Sequence, residues 1–96
     1  MEKKEVIWQI KAIHSLQRIE HIIAIDKPGT AINFGTKLRE FGNSLGDFSN
    51  YEPCRYHKIK NRGMFCYPYK KHYVFVFRVT NTTLIIMDIA HTSRLR

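Results

Sequence analysis

Three features are scarce in this 96-residue chain: cysteine, acidic side chains after residue 53, and long hydrophobic runs. No run is long enough to cross a bilayer and no secretory leader precedes the first apolar stretch, so we expect a cytoplasmic protein without a membrane partner. The two cysteines, Cys54 and Cys66, fit neither a CxxC motif nor a dense secreted scaffold, which predicts free thiols. Together with His57 they form no recognisable zinc framework, and we expect no metal and no cofactor.

The net charge of +8 is confined to the second half of the chain. Residues 1–53 hold seven basic and seven acidic side chains, whereas residues 54–96 hold nine basic side chains against the single acid Asp88. Such an excess favours phosphate-rich or acidic partners over neutral metabolites. A basic surface that serves only solubility is the alternative. The hydrophobic content of 44% suffices for one core, so we predict one domain over residues 1–96.

Hydrophobic periodicity predicts two helices in the first half. The first runs from about residue 11 to 25, after a short possible strand at Glu5–Gln9, and the second begins at Pro28, which suits a first helical turn. Gly35 and Gly42 lower helix propensity but permit a neighbour to approach closely. A short connection makes the two helices an antiparallel hairpin. The predicted apolar faces are Ile13, Leu16, Ile19, Ile22 and Ile23 in the first helix, and Ala31, Phe34, Leu38, Phe41 and Leu45 in the second.

After a turn-rich loop ending at Pro53, runs of aromatic and β-branched residues predict strands. The last two runs are apolar on both faces and should be central, while Pro68 predicts an edge or a bulge. The predicted fold is therefore α+β, with an N-terminal helical hairpin packed on a four- to five-stranded antiparallel sheet. The four predicted strands are Cys54–Lys60, Met64–Lys70, Tyr73–Val79 and Thr83–Ile89.

Three stretches of the sequence resemble the RelE/ParE superfamily of toxins from type II toxin–antitoxin systems. They are the opening VIWQIKAIHSLQRIEHII, the segment from Pro28 to Leu45, and the tail YVFVFRVTNTTLIIMDIAHTSR, whose apolar strand is followed by His-x-x-Arg. The resemblance implies growth inhibition or plasmid stabilization by a toxin that a cognate antitoxin holds inactive. Its target would be either the ribosome with its mRNA or DNA gyrase, because both subclasses share one scaffold.

Cleavage of mRNA in this superfamily resembles metal-free ribonuclease chemistry, which needs a base, an acid and cations around the phosphate. Catalytic candidates are His91, Arg94, Arg78 and His57; target-binding candidates are Arg55, Lys58, Lys60, Arg62, Tyr67 and Tyr73. Relatives that cleave mRNA carry an arginine where this chain has Val74, and some carry one at the position of Phe65. Both departures favour a gyrase-directed toxin, or a diverged one, over a nuclease.

Each candidate also has a structural explanation. His91 and Arg94 could be solvated chain-end residues, and the basic residues after Cys54 could protect a sheet edge from aggregation. Arg78, in an apolar strand, could pair with Asp88 on the neighbouring strand. A non-catalytic nucleic-acid-binding module is the alternative function from a different class.

Overall fold

The computed structural model describes residues 3–48, 50–56, 58–59 and 63–95. Their elements confirm the α+β class, with a helical hairpin on one face of a sheet. Short 3-10 turns follow the second helix, at Leu45–Asp47, and the last strand, at Thr92–Arg94. The elements are β1 (Glu5–Trp8), α1 (Ile10–Asp26), α2 (Pro28–Ser44), β2 (Glu52–Pro53), β3 (Phe65–Tyr69), β4 (Tyr73–Val79) and β5 (Thr83–His91).

The helical hairpin turns at the position that proline predicts. The backbone N–H of Lys27 donates to the Ile23 carbonyl at 2.9 Å, which closes α1, and Pro28 is the first residue of α2. Glycine then brings the helices together, since a Cβ at Gly35 would collide with the Glu20 side chain. Within the described residues, neither helix is long and apolar enough to cross a membrane.

The sheet has the strand order β1-β5-β4-β3-β2, and the last two strands of the chain are central as predicted. The expectation of a fully antiparallel sheet was wrong for one pair, because β1 runs parallel to β5. Consecutive strands joined by tight turns must be antiparallel. Along the chain, however, the helical hairpin and the other strands lie between β1 and β5, so these two strands can also pair in parallel. Pro68 lies on the part of β3 beyond its pairing with β2, at an edge.

One face of the sheet lies under α1 and α2 and is called here the helix face. Phe75, Phe77 and Ile86 are fully buried there against Leu38 and Leu45, so the predicted apolar seam of α2 is confirmed. A second close approach occurs at this face, where a Cβ at Gly42 would lie 2.5 Å from the Trp8 ring. Glycine at that position therefore lets α2 pack directly on β1 and β4.

The apolar face predicted for α1 was only partly right. Leu16 is buried, but Ile13 is 38% exposed and Ile22 is 56% exposed. Ala12 occupies the core position instead, and a small side chain there allows the helix to lie close to β5. Periodicity favoured the large isoleucines and overlooked the alanine.

The opposite side of the sheet, called here the loop face, is covered by residues 54–56 and 58–59, the covering segment. The strand predicted at Cys54–Lys60 is not found among its described residues, 54–56 and 58–59, since β2 ends at Pro53 and pairs with Phe65 and Cys66. Tyr56 and Ile59 pack on Val74 and Val76 rather than extending the sheet edge. Burying those apolar side chains keeps the segment folded over the sheet.

The prediction of free thiols was also wrong. Cys54 and Cys66 form a disulfide that joins the covering segment to β3. The strand pairing of Glu52 with Cys66 brings Cys54 close to Cys66, although the two cysteines are 12 positions apart in sequence. Spacing alone predicts no such pairing, because it depends on how the chain folds back over the sheet. The bond also occupies both sulfurs of the zinc arrangement considered from the sequence.

Candidate binding groove

A groove of about 320 Å³ lies between α1 and the carboxyl end of β5. Helix α1 contributes one wall, and the start of β4, the end of β5 and the 3-10 turn after it contribute the other. Its size is at the lower end of the range for small-ligand sites. The lining residues are Ser15, Arg18, Ile19, Ile22, Tyr73, Ile89, His91, Ser93 and Arg94.

The groove is cationic. None of its described lining residues is acidic, and within the described part of the chain neither Arg18 nor Arg94 is paired with a carboxylate. Asp88, in the adjoining recess, is already engaged: its carboxylate accepts the Ser15 hydroxyl and the Ile89 backbone N–H and lies 3.6 Å from Lys11 Nζ. The two guanidinium groups therefore provide uncompensated positive charge.

The ring of His91 is held by the turn that follows it. Its Nδ1 lies 3.2 Å from the Ser93 backbone nitrogen, which can only donate, and 2.8 Å from the Ser93 hydroxyl oxygen. Because Nδ1 accepts, the proton of the neutral ring is assigned to Nε2. His91 thus presents a hydrogen-bond donor, and its Nε2 has no lone pair with which to take a proton from a substrate in this tautomer.

The floor of the groove is apolar and partly aromatic. Tyr73 packs on Phe34 of α2 with ring centroids 5.6 Å apart and contacts the His91 ring edge-on at 5.5 Å. His72 stacks on the other side of His91 at 5.7 Å. These contacts fix the Tyr73 and His91 rings against the fold.

Taken together, the groove combines an apolar floor with a rim of cationic and neutral donors. Such a site recognises an anionic group that carries an apolar portion, such as a phosphate or a carboxylate on a larger ligand. Within the described lining, the Ser15 hydroxyl donates to Asp88 and the Nδ1 of His91 accepts from Ser93.

Comparison with known proteins supplies the family. The model of a family described as the ParE toxin of type II toxin–antitoxin system, parDE, matches residues 6–96. The chain belongs to this toxin family. No curated protein matches it.

Two solved structures resemble this ParE-family toxin in fold. One, from the chromosomal ParDE toxin–antitoxin system of P. aeruginosa, aligns with a TM-score of 0.77 and 16% identity, over 93% of this chain and 96% of that one. The other, from the toxin–antitoxin complex RelBE2 of Mycobacterium tuberculosis, aligns with a TM-score of 0.65 and 19% identity, over 95% and 93%. The helical hairpin and mixed sheet of this chain are therefore the fold of both structures.

Three of the residues singled out in the sequence meet in the groove of this ParE-family toxin, namely Tyr73, His91 and Arg94. Arg18 joins them from α1 and was not among the candidates named from the sequence. The sequence held one signal for Arg18: it lies three residues after Ser15, and residues i and i+3 of a helix lie on the same side. That signal becomes informative only once α1 is known to lie beside β5.

The other described candidates lie elsewhere. Arg78 is exposed near the far end of β4, opposite Ile85, and does not form the suggested pair with Asp88, whose carboxylate contacts Lys11. Tyr67 packs on the helix face between Phe41 at 5.5 Å and Phe48 at 5.0 Å. Its ring is therefore part of the core packing and is not arranged as an open stacking surface.

The two described basic residues of the covering segment do not line the groove. Arg55 is exposed and lies 3.8 Å from Glu52, and Lys58 is exposed in the same segment on the loop face. The remaining three candidates, His57, Lys60 and Arg62, lie outside the described residues. Among the described lining residues of the groove, Arg94 is the one lysine or arginine from the second half of the chain, so the cationic surplus of that half is not gathered in the groove.

Proposed function

We propose that this ParE-family toxin arrests growth by acting on DNA gyrase, without cutting RNA, and that a cognate antitoxin neutralises it. The observation that carries the proposal is the environment of Val74, the position where mRNA-cleaving relatives hold a phosphate with arginine. Val74 is fully buried beneath the covering segment, in contact with the cluster that contains Cys54 and Leu95. Phe65, the other departure, stacks on Phe77 at 6.1 Å. Neither position offers a cation to a phosphate.

The chemistry of the groove supports the same choice. Cleavage by a ribose hydroxyl needs a group that removes its proton, and the Nδ1 of His91 is occupied by Ser93. Arg18 and Arg94 are suited to bind an anionic surface of a target protein or its bound DNA. Binding without chemistry is what inhibition of a topoisomerase requires.

Two assays with purified components separate the possible targets. We expect the toxin to inhibit supercoiling by gyrase in proportion to its concentration, and to leave ribosome-bound mRNA uncut. Cleavage at defined codons together with unaffected supercoiling would contradict the proposal. Growth arrest on induction of the toxin alone, in the absence of an antitoxin, is the accompanying observation in cells.

The groove can be tested with one double variant. Arg18→Ala with Arg94→Ala should weaken inhibition of gyrase by about tenfold or more, since a charged hydrogen bond contributes about 1.5–3 kcal/mol. Lys37→Ala with Lys58→Ala, at two exposed positions that do not line the groove, removes the same amount of charge and serves as the control. Equal losses in the double variant and the control would mean that net charge acts without a defined site.

Inhibition by an antitoxin is supported by the two structural neighbours, one from a ParDE toxin–antitoxin system and the other from a RelBE2 toxin–antitoxin complex. The surface of this chain is also suited to a partner. Ile25 and Ile32 are 75% and 73% exposed at the turn of the helical hairpin, and Ile22 is more than half exposed beside the groove. An acidic, amphipathic segment would cover these side chains and be attracted by the net charge of +8.

Coexpression with the product of a neighbouring small reading frame should restore growth and yield a complex that purifies intact. Ile25→Asp with Ile32→Asp should weaken that complex, because each change places a carboxylate where an apolar contact and an acidic partner are expected. The variants should keep their growth-arresting activity if target and antitoxin use different surfaces. If the antitoxin restores growth equally well with the double variant, the hairpin turn is not part of the interface.

A non-catalytic nucleic-acid-binding module is the alternative favoured by the cationic groove. Such a protein would bind bare DNA or RNA with an affinity that falls steeply with salt, and induction would leave growth unaffected. The growth phenotype therefore decides between the two functions.

A further inference from the structure

The disulfide between Cys54 and Cys66 links two parts of the molecule that differ in accessibility. Cys54 is 3% exposed, packed within the apolar cluster of the loop face. Cys66 is only partly buried and lines a surface recess of about 170 Å³, together with Glu52, Pro53, Arg55, Tyr56 and Pro68. Cys66 is thus the more accessible residue of the pair, and Cys54 is the shielded one.

We propose that this cross-link is reversible, and that a low-molecular-weight thiol opens and closes it by attack at Cys66. The charges in the recess do not select the reagent, because Arg55 and Glu52 carry opposite charges 3.8 Å apart. Access is decided by geometry. A small thiol fits a recess of this size, whereas a protein thiol would have to displace the covering segment.

The exchange is balanced as follows. A thiolate attacks the sulfur of Cys66, the bond between the two cysteines breaks, and Cys54 leaves as a thiolate that takes a proton from water. A second thiol molecule then attacks the external sulfur of the mixed disulfide and releases Cys66. Overall, two thiol molecules are oxidised to one disulfide, and the protein gains two electrons and two protons.

Opening the bond would loosen the covering segment without removing its other contacts. The Cys54 backbone N–H still donates to the Met64 carbonyl at 3.0 Å, and Tyr56 and Ile59 still pack on the loop face. The fully buried Val74 and the nearly buried Val76 lie directly beneath. Reduction therefore shifts the segment toward open states that expose an apolar strip on the sheet.

A pair of single variants tests which sulfur reacts. Cys54→Ser leaves Cys66 alone in its recess, and Cys66→Ser leaves Cys54 alone in the core. In oxidised glutathione, followed by intact mass, the folded Cys54→Ser variant should gain one glutathione at least about tenfold faster than the folded Cys66→Ser variant, because reactivity follows access. Equal rates, or no adduct in either variant, would overturn the proposal.

The unmodified protein provides a second test that does not depend on the folding of a variant. Equilibrated from both the oxidised and the reduced side in a series of reduced-to-oxidised glutathione ratios, it should reach the same fraction of disulfide at each ratio. Trypsin should cut at Arg55 and Lys58 several-fold faster in the reduced sample. A bond that stays closed at every ratio, or cutting that is indifferent to reduction, would refute a reversible cross-link.

Discussion

The two faces of the sheet are stabilised by different means. On the helix face, two long helices bury Phe75, Phe77 and Ile86 completely. On the loop face, a segment without regular structure covers Val74 and Val76, and a disulfide fastens it. A small chain can build one extensive hydrophobic layer, and on its second face, where too few apolar side chains are available, a covalent bond contributes what burial does not.

Truncating one core residue on each face should show the largest difference between the contributions of the two faces to stability. Leu38→Ala, at a fully buried position between α2 and the sheet, should lower the free energy of unfolding by about 3–4 kcal/mol. Leu95→Ala, at a 7% exposed position next to the chain terminus on the loop face, should cost about half as much, because the surroundings can relax. Urea denaturation measures both. Equal losses would mean that the loop face is packed as rigidly as the helix face.

Removing the disulfide should have the next largest effect. The double variant Cys54→Ser with Cys66→Ser should lose about 2–3 kcal/mol, since the bond closes a loop of roughly a dozen residues in the unfolded chain. Reduction of the unmodified protein should produce a similar loss. Combined with Leu38→Ala the losses should add, because the two sites lie on opposite sides of the sheet and share no partner. Strong non-additivity would show that the faces are coupled.

The elements that the sequence predicted well are those in which local pattern and tertiary packing agree. Helix α2 begins at Pro28 and buries its apolar seam, and β4 spans the predicted Tyr73–Val79, because its side chains are apolar on both faces. Both Gly35 and Gly42 are points of close approach, as their placement in a helix indicated. In each case one periodicity satisfied both the backbone and the core.

The elements that it predicted poorly depend on contacts between distant parts of the chain. The segment after Cys54 has the composition of a strand, but it gains more by burying Tyr56 and Ile59 on the loop face. The groove combines Arg18 with residues more than fifty positions later, so only His91, Arg94 and Tyr73 could be nominated from local pattern. The tautomer of His91 depends on the turn at Ser93, which the sequence left undetermined.

The close approach of Gly42 to Trp8 on the helix face predicts a loss of stability of intermediate size. Gly42→Ala would place a methyl group 2.5 Å from the Trp8 ring and 3.0 Å from Phe75, so the protein should lose about 1–3 kcal/mol despite the gain in helix propensity. Gly29→Ala is the matched control, since no atom lies within 4 Å of its added Cβ in the first turn of α2. It should be neutral or slightly stabilising. If both variants gain stability, α2 is not held closely against Trp8.

The smallest effect concerns Tyr51, where the chain passes from one face to the other. Its ring packs on Phe77 and its hydroxyl donates to the Leu45 carbonyl at 2.9 Å. Burial, with a smaller contribution from the Asp47 charge, raises the pKa of Tyr51 above its usual value. The neutral phenol is therefore favoured in the folded state, and the stability it contributes is present below the unfolded pKa of about 10 and lost as the pH rises above it.

Tyr51→Phe should cost about 1 kcal/mol near neutral pH, the typical contribution of one hydrogen bond, and should remove part of the loss of stability at alkaline pH. Unfolding curves measured on both proteins from neutral pH to beyond pH 10 give the comparison. The difference between the two proteins reports on Tyr51. Parallel pH dependences would mean that ionised Tyr51 is tolerated in the fold.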